Sequence, residues 1–162
     1  MKSTILPALL KFSRLISIPA LLSLTTALSL YAQDKDYSGT CRITVLEIVA
    51  DNSGQGLAQE LKDLKKDLEK LNYNTYRLSN TYRVEISKSE QKSFTLVGDH
   101  QLSLTSEGME NGMLRLKVKL SPKSSKDKAL ETILRIPDGG TFLIGGPSCE
   151  KGVLILAFTA TM

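Results

Sequence analysis

Side chains able to do chemistry are few in this chain and lie far apart. His100 is its one histidine and stands beside a Gly98-Asp99 turn signal, so general acid-base catalysis would rest on a single imidazole that reads as solvated. A Ser-His-Asp site would need that residue near a serine on a sharp strand-to-helix elbow, and no Gly-x-Ser-x-Gly is present. Glu107 and Glu110 form a carboxylate pair in a hairpin loop, where solvation leaves no reason for a raised pKa. Gly54-x-Gly56 before a helical pattern has the start of a dinucleotide-binding turn, but Gln59 stands where its third glycine belongs. The same loop fails for calcium because Lys62 replaces the bidentate glutamate. Gly140 to Gly145 has a phosphate-loop interval, yet Gly146-Pro147 follows instead of Lys-Ser/Thr. These residues give no catalytic, cofactor-binding or metal site.

Two features remain. Cys41 and Cys149 are the only cysteines, and neither has the neighbours of a Cys-x-x-Cys redox or zinc site. In an exported chain an even count predicts a disulfide, which requires the first and last strands to begin at the same end and run roughly parallel; the alternative is two separate buried thiols or a link to another chain. The second feature is an alternation: Arg115, Lys117 and Lys119 interleave with Leu114, Leu116, Val118 and Leu120. A strand there turns its apolar face inward and a basic stripe outward, a surface suited to phosphate or carboxylate groups, although an ordinary solvated strand has the same pattern.

The elements that would position these residues follow from periodicity. Arg42 to Ala50 is β-branched and apolar on both faces, which predicts a central strand. After the breakers of Asp51 to Gly56, Leu57, Leu61, Leu64, Leu68 and Leu71 recur at spacings of four and three and predict one helix, laid on the sheet or used for dimerisation. From Tyr73 onward the period is two. Asn74 to Ser79 is echoed by Asn80 to Glu85, and an extended chain would hold Tyr76, Leu78, Tyr82 and Val84 on one side. Gly98-Asp99 and Asn111-Gly112 read as two-residue hairpin turns, and Pro122 to Lys128 as a polar loop. Strands follow at Leu130 to Ile136, Thr141 to Ile144 and Val153 to Thr161, the last apolar on both faces. The sum is a mainly-β sandwich of about eight strands with one amphipathic helix after the first.

The N-terminus carries Lys2, Lys11 and Arg14 and then an uncharged stretch from Leu15 to Tyr31, the pattern of a secretory signal peptide. Cleavage is expected after Ala32, with Ala27-Leu28-Ser29 as second choice and a retained anchor as the alternative. Residues 1–32 are thus read as leader, 33–40 as polar linker and 41–162 as a single domain. Without the three leader cations, 18 Lys and Arg face 17 Asp and Glu, so charge gives no argument for nucleic acid.

Ile136-Pro137-Asp138-Gly139-Gly140-Thr141-Phe142-Leu143-Ile144-Gly145-Gly146 resembles the segment of bacterial secretins in which a strand, an Asp-Gly turn and a Gly-Gly closure recur. The Pro-, Leu- and Gly-rich run that follows in secretins is missing here, which points to a short hairpin shared by convergence. Through its Tyr73-Asn74-Thr75-Tyr76-Arg77-Leu78 run and its Gly152 to Met162 ending, the chain is also similar to uncharacterised exported proteins of Gram-negative bacteria. That resemblance implies a place in the envelope, periplasmic or extracellular. The expectation is a non-catalytic binding or structural module with an envelope protein or anionic envelope polymer as partner, touching the membrane only through its leader. Alternatives are an accessory part of a secretin-like or surface assembly, a small-ligand carrier, and a hydrolase.

Overall fold

Two strands that are apolar on both faces need cover on both sides, and the fold supplies it by setting them in one sheet between a second sheet and a leucine-bearing segment. In the computed structural model, which describes residues 39–122, 129–149 and 152–162, these are β1 (Thr40–Asp51) and β9 (Gly152–Thr161). The leader, nearly all of the polar linker and most of the Pro122 to Lys128 loop lie outside the described residues. The other strands are β2 (Gly56–Leu57), β3 (Thr75–Ser87), β4 (Gln91–Thr95), β5 (Gln101–Glu110), β6 (Met113–Ser121), β7 (Leu130–Pro137) and β8 (Thr141–Cys149). They form a five-stranded sheet in the order β2-β3-β1-β9-β8 and a four-stranded sheet in the order β4-β5-β6-β7. The expected sandwich is present, with the two-residue β2 as an addition.

Alternation sorts the side chains into two apolar clusters. Ile43, Val45, Leu102, Leu104, Leu114, Leu116, Leu156 and Phe158 fill the space between the sheets. Ile48, Ala50, Ile155 and Ala157 point the other way and are covered by Leu61 and Leu68. The leucine seam therefore lies on the sheet, but not as one long helix. Gln59–Leu64 is a 3-10 segment, and only Lys65–Leu68 (α1) is α-helical. No side chain caps the start of either piece, and the Tyr76 hydroxyl donates to the Leu68 carbonyl at 2.7 Å, satisfying an orphan acceptor where α1 stops.

The repeated six-residue motif does not keep one face. Glu47 pairs with Asn80 and Ile48 with Leu78, leaving Ser79 as an extra residue in β3. One added residue inverts the period-two alternation. Tyr82 and Val84 consequently pack between the sheets while Tyr76 and Leu78 join the outer cluster.

The expected parallel course of the first and last strands is corrected as well. β1 and β9 are antiparallel, with Arg42 opposite Thr161 and Ala50 opposite Val153. Cys149 pairs with Gly152, at the far end of β1 from Cys41. Extended chain rises about 3.3 Å per residue, so roughly 30 Å separates the Cys41 and Ala50 ends of β1, against the 7 Å or so that a disulfide tolerates between Cα atoms. The two thiols are not bonded to each other.

Asn111-Gly112 makes the expected two-residue turn, with φ of 52° and 74°. The Gly98-Asp99 connection is longer: the Leu96 N–H donates to the His100 carbonyl at 2.8 Å, leaving Val97-Gly98-Asp99 as the loop. The secretin-like segment is not a hairpin, because its turn carries the chain from β7 in one sheet to β8 in the other.

Candidate functional site

The outer face of the four-stranded sheet gathers a connected set of polar side chains. Arg115, Lys117 and Lys119 share this face on β6, as the alternation requires. Carboxylates from neighbouring strands meet them. A register shift between Ser106 and Gly108 makes Glu107 a bulged residue, and its carboxylate accepts from Arg115 Nη2 at 2.9 Å. Glu110 reaches Arg115 Nη1 at 3.1 Å and Arg135 Nε at 3.2 Å. Lys117 Nζ lies 2.6 Å from Glu131 Oε1 on β7. The Lys117 ammonium holds the Glu131 carboxyl below the ordinary carboxylate range, and the same bond raises Lys117. The expected basic stripe is thus a row of mixed sign, whose partners lie on strands that a reading of β6 alone does not reach.

Beside it β4 and β5 present a band of amides and hydroxyls. Gln91 Nε2 donates to Ser103 Oγ at 2.7 Å, the Ser93 and Ser103 hydroxyls are 3.1 Å apart, and Gln101 Nε2 donates to Thr95 Oγ1 at 3.0 Å. Band and row together line a shallow trough of about 460 Å³, with Ser103, Thr105, Lys117, Lys119 and Glu131 along it.

The second concavity is a cleft of about 520 Å³ at the Val49 end of the sandwich, bordered by Arg77, Val97, Asp99 and Cys149. Behind it stand two titratable residues that sequence reasoning does not place inside. Glu47 is 1% exposed: its Oε1 accepts from the Val97 N–H at 2.5 Å, and its Oε2 lies 3.1 Å from the Tyr82 hydroxyl. Burial, and then the Glu47 charge, push the Tyr82 phenol up. His100 is the second, 8% exposed rather than solvated, because it continues the inward alternation of Leu102 and Leu104. Its Nδ1 is buried and has no hydrogen-bond partner. Arg77 and Asp51 engage each other, and Ser53 is the larger cause of the lowered Asp51 carboxyl. Neither Glu47 nor His100 lines the cleft, whose titratable lining residues among the described residues are Arg77, Asp99 and Cys149. Likewise no three His, Cys, Asp or Glu residues cluster as metal ligands among them. Set against known proteins, the chain matches no family model, no curated protein and no solved structure.

Proposed function

We propose that this protein is a non-catalytic module of the cell envelope that binds an anionic, carboxylate-bearing envelope polymer along the trough of its four-stranded sheet. The supporting observation is that Lys117 and Lys119 stand beside a band of Ser, Thr and Gln side chains already ordered by hydrogen bonds to one another. Ammonium groups attract the charges of such a polymer, and the pre-ordered amides and hydroxyls exchange hydrogen bonds with its sugar hydroxyls at small entropic cost. Glu131 competes with the polymer for Lys117 and sets how strongly the trough attracts it.

Co-sedimentation with isolated cell-wall sacculi, and titration with polygalacturonate, test this reading. Lys117→Glu with Lys119→Glu should weaken binding by roughly tenfold or more, and added salt should weaken the native interaction. Glu131→Gln, which releases Lys117, should strengthen it. Binding that ignores both changes refutes the reading. The cleft near Val97 favours a second reading, a small-ligand carrier, since its volume falls within the range of about 300 to 1,000 Å³ usual for ligand pockets. A ligand held there would be indifferent to the lysine substitutions.

A further inference from the structure

A sheet edge presents unpaired backbone N–H and C=O groups, and natural proteins blunt such edges with short strands, bulges, prolines or lysines. Three edges here are treated in that way. β2 has two residues and covers only Thr75 and Tyr76 of β3, whose edge beyond them is bulged at Ser79; β4 has five residues and carries Lys92, and β8 is broken between Gly145 and Ser148 around Pro147. β7 differs. All eight of its residues pair with β6 in unbroken register, its proline is the last of them, and no backbone hydrogen bond from another strand reaches its other edge among the described residues. It also borders the side of the sandwich where apolar groups remain open. Leu130 is 40% exposed and Ile133 46% on β7, and Phe142 is 40% exposed on β8, the strand that follows it in the chain. These are three of the four large apolar side chains left exposed among the described residues.

We propose that β7 is the interface by which two copies of this chain associate, antiparallel and centred on Ile133. Its sequence is self-complementary about that residue: with Ile133 facing its equivalent, Glu131 of each copy stands opposite Arg135 of the other. Leu130 then faces the inward-pointing Ile136 of the second copy, so both exposed apolar residues of β7 are covered. Existing ion pairs are extended and not broken. Within one chain Lys117 holds Glu131 and Glu110 holds Arg135. Across the seam the row would read Lys117, Glu131, then Arg135 and Glu110 of the second copy, alternating in sign at every step. The two four-stranded sheets become one continuous sheet with both troughs on the same face, through an isologous contact that closes as a dimer.

Sedimentation equilibrium over a wide concentration range tests this, with circular dichroism to check folding. The unaltered protein should be a dimer and Ile133→Lys a folded monomer. Glu131→Arg and Arg135→Glu, each alone, put like charges opposite one another twice and should weaken self-association by roughly tenfold. An equimolar mixture of these two variants should restore dimerisation, because both arginines of the first copy then face both glutamates of the second. Mixing cannot repair a folding defect, so recovery reports the interface itself. A protein monomeric at every concentration, a dimer untouched by Ile133→Lys, or a mixture no tighter than its components would each overturn the proposal.

Discussion

Glu47 sits in the middle of a strand otherwise built largely of Ile, Val, Leu and Ala, and its carboxylate is tolerated because donors from other parts of the chain come to it. Of these, the Val97 N–H depends on it most, since the Tyr82 hydroxyl also lies 3.0 Å from the Thr95 carbonyl. Glu47→Ala should therefore cost about 1 to 3 kcal/mol in urea unfolding, chiefly from the orphaned Val97 amide. Glu47→Gln should cost less, because its amide oxygen keeps that bond. The sequence shows Glu47 inside an apolar run but cannot show that an amide fifty residues later will reach it. His100 departs from expectation for a related reason. A glycine-containing turn beside a histidine suggests solvent, whereas the parity it shares with Leu102 and Leu104 sends it inward. The basic stripe is legible because alternation acts within one strand. Its carboxylates are not, because spacing carries no cross-strand register.

Leucines at spacings of four and three do mark the segment that covers the outer face of the five-stranded sheet, but its stability comes from burial and not from helix propagation. Leu61 is wholly buried and Leu68 nearly so, while Leu64 is half-buried. Leu61→Ala should destabilise by about 2 to 5 kcal/mol in denaturant melts, and Leu64→Ala by clearly less. Equal losses would mean that the leucines share one helical face after all. The break into a 3-10 segment and a single α turn is hidden from periodicity, since leucines three and four apart satisfy either helix over so short a stretch. The bulge at Ser79 is hidden too: an even-numbered echo promises a constant face, and only the pairing of β1 with β3 reveals the inserted residue.

For the molecule as a whole, the sandwich and the central positions of β1 and β9 are readable because strands apolar on both faces have to be covered twice. Strand direction is not, since an apolar run looks the same in either sense. The expected disulfide falls with it. Denatured without reductant, the protein should titrate two thiols per chain, and a value near zero for a chain that stays monomeric without reductant would contradict the antiparallel pairing of β1 with β9.

That pairing also determines how the domain meets mechanical force. Arg42 at the start of β1 faces Thr161 at the finish of β9, so the two ends of the domain lie at the same pole. A pull applied between them loads the backbone hydrogen bonds one at a time, beginning at Arg42 and Thr161 and peeling toward Ala50 and Val153. Strands running the same way would instead have shared the load in shear. Pulled from its two ends, the domain should therefore open like a zipper, at a tension below that of a domain whose terminal strands are loaded in shear.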